Sequence, residues 1–315
     1  MFTDLKVKIQ DFFIKNKKKI IIIIVIWLII MGINKIIGVV KDMQPPETSY
    51  EPKSPIISGS NVSKSTYTKT EDVINNYVKF CNNKEYESAY ELITDDCKEI
   101  KFKNNIENFK KYVDYIFDGY KVASIQNYSN KDKVYVYKVT ISEDIMATGR
   151  NNENYNTYNE MIVAYKDDTT KISLGGFIQK EKLDYMNQDS YLRVWLEEKY
   201  TYYDKVVYKI KLKNLNVYPI VIANQTETGE VILSLQGDDR SMIVDSYANN
   251  TIALFPDGEK EYEISFYKHF DESRKETSIT LNKIRVLKEY SEIEEKWEEE
   301  LANAIKLYSL EIPIQ

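Results

Sequence analysis

The chain has 315 residues, with 43 Lys and Arg against 49 Asp and Glu, and its formal charge of −6 argues against a nucleic-acid binder. Two cysteines, Cys81 and Cys97, and one histidine, His269, leave no four-ligand Cys/His zinc set and no nucleophile motif beside the histidine. The length exceeds one ordinary domain, so two folded units with connecting segments are expected.

Residues 1–19 form a short basic segment, with Lys15, Lys17, Lys18 and Lys19 crowded at its end. An unbroken apolar run follows from Ile20 through Trp27 to Ile33. At helical rise it covers only about 21 Å, and extending it through Lys35 to Val40 gives about 31 Å, which matches a bilayer core of about 30 Å. Lys35 then sits near the far end, where its stem can carry the charge to the headgroups. The segment has no small-residue cleavage pattern after Met31-Gly32-Ile33, which favours a retained signal-anchor over a cleaved leader. A core helix is disfavoured by the lack of any polar face. The sequence therefore predicts one transmembrane helix over 20–40. The lysine cluster predicts a cytoplasmic N-terminus and an extracellular remainder.

Residues 41–69 carry Pro45, Pro46, Pro52 and Pro55 and then a Ser/Asn/Thr stretch, and read as a disordered tether. Thr70 reads as an N-cap, with Glu71 and Asp72 behind it. Three helices are expected next. Their faces are Val73, Ile74, Tyr77, Val78 and Cys81; then Tyr86, Ala89, Tyr90 and Ile93; then Ile106, Phe109, Val113, Ile116 and Phe117, stopped by Gly119. Asp95 and Asp96 fall in an expected loop. Cys81 and Cys97 belong near opposite ends of antiparallel helices, roughly 12–18 Å apart, so two free thiols are expected.

The period then becomes two. Tyr135, Tyr137, Val139 and Ile141 mark one strand, and Met161, Val163 and Tyr165 another. Leu174-Gly175-Gly176-Phe177-Ile178 reads as a closing strand with a bulge. Helices followed by strands predict an α+β unit over 70–182, with helices on a curved antiparallel sheet.

From Ser190 the pattern is mostly strands. Tyr208, Ile210 and Leu212 face one way, and Lys209, Lys211 and Lys213 the other. The lysine row, begun by Lys205, reads as a solvated face rather than a polyanion site. Pro256-Asp257-Gly258 supplies a hairpin turn before Tyr262, Ile264 and Phe266. A last strand with a register break near Asn282 completes an immunoglobulin-like sandwich expected over 190–288. Residues 289–315 read as an acidic amphipathic helix. Ile293, Trp297, Leu301, Ile305 and Tyr308 would form its apolar stripe, docked on the molecule's own domains or offered to a partner chain.

The stretch Phe80–Phe102, FCNNKEYESAYELITDDCKEIKF, resembles the first helix-turn-helix of nuclear transport factor 2-like domains. The resemblance covers about residues 70–182 and implies a cone between helices and sheet that holds a pocket in many members. The layout of basic N-terminus, single span and such a domain outside is similar to the bitopic assembly subunits of type IV secretion and conjugation machines. That likeness implies a non-enzymatic membrane scaffold that self-associates or contacts other channel proteins. A surface binding module, sensor or adhesin, for a small ligand or wall glycan is the alternative. No catalytic, cofactor-binding or metal-ligating residue is assigned, and no cofactor is expected.

Overall fold

The computed structural model describes residues 58–59, 63–143, 157–223, 231–236, 238–243, 252–291 and 296–314. The expected anchor residues Ile20, Trp27, Ile33, Lys35 and Val40 lie outside them. So do the flanking Lys15, Lys17, Lys18 and Lys19, most of the expected tether and Ile293.

The first layer begins with a two-residue strand β1 (Ser58–Gly59) and four helices: α1 (Lys64–Asn82), α2 (Tyr86–Glu91), α3 (Asp95–Phe102) and α4 (Ile106–Ile116). Strands β2 (Lys121–Lys131), β3 (Val134–Glu143), β4 (Tyr158–Tyr165) and β5 (Ile172–Ser173) follow. The sheet order is β1-β2-β3-β4-β5, with β1 parallel to β2 and the other pairs antiparallel. Ile74, Tyr77, Cys81, Ala89, Phe109 and Val113 from the helices meet Tyr137, Val139, Ile141 and Ile162 from the sheet in one core.

Three local readings are corrected here. Helix α1 starts six residues before Thr70, so residues 64–69 are helical rather than tether. Ser63 is its N-cap, its hydroxyl accepting the Thr66 N–H at 3.2 Å. The extra turns hold because Tyr67 is buried edge-on against Tyr137, with ring centroids 6.0 Å apart. Thr70 lies inside the helix instead, its hydroxyl 2.6 Å from that of Tyr137. Asp95 and Asp96 open α3, where carboxylates favour the helix N-terminus. The expected bulge at Leu174 is a chain reversal: Gly175 and Gly176 hold φ of 70° and 69°, which glycine alone adopts freely.

That reversal launches β6 (Phe177–Gln188) away from the first sheet, so a strand runs through the boundary expected at 182–190. Strands β7 (Leu192–Tyr202), β8 (Lys205–Asn214), β9 (Ile220–Ala223), β10 (Val231–Leu235), β11 (Asp238–Ile243), β12 (Ile252–Leu254), β13 (Glu259–Tyr267) and β14 (Glu276–Val286) follow. A short helix α5 (Trp297–Ala302) and strand β15 (Lys306–Pro313) end the described chain. One sheet has the order β13-β8-β7-β6, and the other β11-β10-β14-β9-β12 with β15 paired to β14. Leu192, Val194, Tyr208, Ile210 and Phe266 pack against Leu233, Ile279, Leu281 and Ile312 across a shared core, which makes a sandwich.

The acidic helix expected over 289–315 is not formed. α5 spans six residues, and from Lys306 the chain is strand, because Leu310 and Ile312 at period two bury their side chains in the sandwich. The expected stripe therefore breaks up. Leu301 is buried against Leu287 and Tyr290, Ile305 is exposed, and Tyr308 sits on β15 beside Tyr191.

Fifteen strands and five helices make the described residues mainly β, so the α+β class expected from the sequence is overturned. Among the described residues no helix is long and apolar enough to cross a membrane. The five-stranded sheet is covered on both faces. Helices cover one face, and Val134, Val136 and Val163 on the other pack with Ile178 and Tyr203 at the root of the sandwich. Lys131 pairs with Asp271 at 2.5 Å, and Asp132 accepts the Glu272 N–H at 3.1 Å, fastening the same junction.

Candidate functional site

Strand β4 places Tyr158, Glu160, Ile162 and Ala164 toward the helices, and Met161, Val163 and Tyr165 toward the sandwich. Glu160 is 4% exposed and is the one carboxylate that the sheet buries within the helix-sheet cone among the described residues. Its Oε1 accepts the Gly175 N–H at 2.6 Å. Its Oε2 accepts the hydroxyls of Tyr112 and, at 3.2 Å, Tyr158, with the Lys101 ammonium at 3.4 Å. Lys101 also lies over the Tyr112 ring, 4.6 Å from its centroid. Burial foremost, with Tyr77 and Glu160 nearby, pushes the Tyr112 hydroxyl well above its usual range and keeps it a donor. Three donors thus converge on Oε2 and one on Oε1, which fixes the carboxylate in place.

A groove lies outside the cone, where α3 meets the outer face of the β13-β8-β7-β6 sheet. Its inner end is a cavity of about 220 Å3 lined by Cys97, Ile100, Lys101, Leu174, Gly175, Phe177 and Tyr202. Its outer end, about 510 Å3, adds Lys180, Tyr200 and Lys205 with Glu99, Glu198 and Glu263. Ile100 and Tyr202 border both ends and form the sill between them. Lys180 pairs with Glu99 at 2.8 Å and Glu198 at 2.9 Å, which raises its pKa. Tyr200 donates to Glu198 and lowers that carboxylate's pKa. Lys205 lies over the Tyr202 ring at 4.8 Å and forms no ion pair among the described residues.

The thiols expected to be free are free. Burial raises Cys81 to about 12 and Cys97 to about 11, and backbone hydrogen bonding to Leu174 opposes the latter shift. Both are protonated at neutral pH and are poor nucleophiles. His269 packs on Tyr203, with ring centroids 5.5 Å apart. The lysine row is cross-linked by carboxylates. Lys211 pairs with Glu259 at 2.6 Å, Lys209 with Glu261 at 2.9 Å, and Lys213 reaches Glu259 at 3.8 Å. That is a charge-matched sheet face rather than a basic patch. No group of three metal-ligating side chains is present among the described residues.

Glu160 and the groove escape sequence reading because their members come from α3, α4, β4, the Leu174–Gly176 turn, β6, β7, β8 and β13. The one available signal was Glu160 standing among the apolar residues of an otherwise buried strand. Comparison with protein families, with curated proteins and with solved structures yields no match.

Proposed function

We propose that this chain is a non-catalytic assembly protein held at a membrane by residues 20–40, with the body from about residue 41 outside the cell. The apolar run and its lysine flank support the location. A resemblance to bitopic secretion and conjugation subunits supports the role. The observation that carries the reading is a surface beside the end of α4. Tyr115 is 82% exposed and Tyr120 58%, and Val122 is exposed near them in sequence. Tyr115 borders a cleft of about 590 Å3 that joins Ile116, Ile141 and Tyr158 to the charged Asp114, Asp118, Lys121 and Glu143. Exposed aromatic side chains beside a cleft are the usual anchors of protein interfaces.

A photo-crosslinking amino acid at position 115, in cells carrying the full chain, tests this reading. A discrete adduct with a membrane protein or with a second copy supports it, provided that a crosslinker on the charge-matched face at Lys211 gives none. Equal adducts at both positions, or none at 115, refute it. The second reading, a surface binding module, is favoured by the two-ended groove.

A further inference from the structure

We infer that the groove between α3 and the four-stranded sheet binds a small amphiphilic monocarboxylate, its tail in the inner cavity and its carboxylate on Lys205. This deepens the binding-module reading and rests on it. The inner cavity is walled by Ile100, Leu174, Phe177 and Tyr202, with the neutral Cys97 thiol and Lys101, paired to Glu160, in its lining. Its volume of about 220 Å3 holds about seven water-sized groups at roughly 30 Å3 each, the size of a short branched alkyl tail. Phe177 meets Tyr202 edge-on at 5.5 Å, which makes a fixed aromatic floor.

The ammonium of Lys205 alone decides the head group, since the groove's carboxylates Glu99, Glu160, Glu198 and Glu263 outnumber its ammonium groups Lys101, Lys180 and Lys205 by one. Around the groove, Glu160 is answered by Lys101, and Glu99 and Glu198 are both answered by Lys180. Lys205 is left over, its ammonium on the ring that forms the sill of the apolar cavity. An anion there gains a charge-assisted contact without displacing an existing pair. Glu263 also lines the outer end and forms no ion pair among the described residues; Lys209, opposite it in register, pairs with Glu197 and Glu261, and Lys205 lies opposite Tyr267. Glu263 is close enough to raise the pKa of the Tyr202 hydroxyl, second to burial, so a ligand with a second carboxylate would meet it in the outer end.

The test uses the full chain in lipid nanodiscs, with empty nanodiscs as the partitioning blank. The probes are isocaproate, isohexanol and isohexylamine, which share one tail and differ in head charge. Mass spectrometry follows the modification of Cys97 by methyl methanethiosulfonate, with Cys81, outside the groove, as internal control. Isocaproate is expected to slow Cys97 saturably and to leave Cys81 unchanged. Its half-protecting concentration should be about fivefold to tenfold below that of isohexanol, with isohexylamine weakest. Lys205→Met should bring isocaproate to the level of isohexanol, and Lys205→Arg should preserve the difference. An unchanged Cys81 rate in each variant reports an intact fold. The inference is overturned if alcohol or amine protects as well as acid, if Lys205→Met changes nothing, if both cysteines slow together, or if no probe protects. Crosslinking at position 115 reads a different surface, so either result can fail alone.

Discussion

Glu160→Gln separates a structural carboxylate from a catalytic one. The substitution keeps the size of a side chain that is 4% exposed, so packing changes little. Hydrogen bonding changes a great deal. Gly175 N–H at 2.6 Å claims one oxygen, and Tyr112, Tyr158 and Lys101 claim the other. A glutamine has a single carbonyl oxygen. Whichever way the amide turns, its NH2 faces at least one of these donors, and Lys101 loses its counter-charge. A buried donor left unsatisfied costs about 1–3 kcal/mol, and more where charge is involved, so a loss of about 2–3 kcal/mol is expected. For a body of this size that lowers the melting temperature by about 5–10 °C. Urea titration of the full chain measures it directly, with an unchanged denaturant slope showing that the unfolded reference is the same. A loss under about 0.5 kcal/mol would refute the structural reading. A gain in stability would do so more strongly, since functional groups are often held at a cost that their removal relieves.

Two further perturbations follow from the ion pairs. Asp271 is partly buried, but Lys131 and Ser273 outweigh that burial and bring its pKa down to about 2. Its folded pKa lies below the unfolded value, so its contribution is complete above about pH 4 and is lost as pH falls toward about 2. Asp271→Asn should remove on the order of 2 kcal/mol at neutral pH and flatten stability across that acid window. An unchanged acid profile would contradict the junction described here. Glu276, buried, accepts Lys199 at 3.2 Å and Lys268 at 2.7 Å and links the two sheets of the sandwich. Glu276→Gln should cost about 3 kcal/mol, because Lys268 is left without a carboxylate while Lys199 keeps Glu181 at 2.8 Å. A single-variant loss below about 1 kcal/mol would show that water reaches the triad.

Much of the sandwich was legible because its physics is local. On β8 and β13 one face packs in the core and the other meets solvent, so alternation in the sequence is alternation in space. The register shift between Leu281 and Ile284 falls where Asn282 interrupts that alternation, with Lys283 at φ 54°. What stayed hidden depends on contacts distant in sequence. β4 is buried on both faces, so its period could not say which side met the helices, and Glu160 was overlooked. Helix α3 has eight residues and no side-chain cap, too little for a periodic signal. At the C-terminus, Leu301, Ile305 and Tyr308 fall at helical spacing, yet Tyr308, Leu310 and Ile312 fall at strand spacing. Pairing with β14 favours the strand. The groove joins segments from both layers, and no stretch of sequence contains more than part of it.

The account stands most directly on which side of the membrane the folded body lies. Ser60→Cys in the full chain, treated in intact cells with a maleimide that cannot cross lipid, measures this. The native Cys81 and Cys97 are buried and react slowly, so the unsubstituted chain under the same brief treatment gives the blank. Labelling of Ser60→Cys, with none for Lys17→Cys until the cells are opened, is the predicted result. Labelling of Lys17→Cys in intact cells, or of neither position before lysis, would contradict the account.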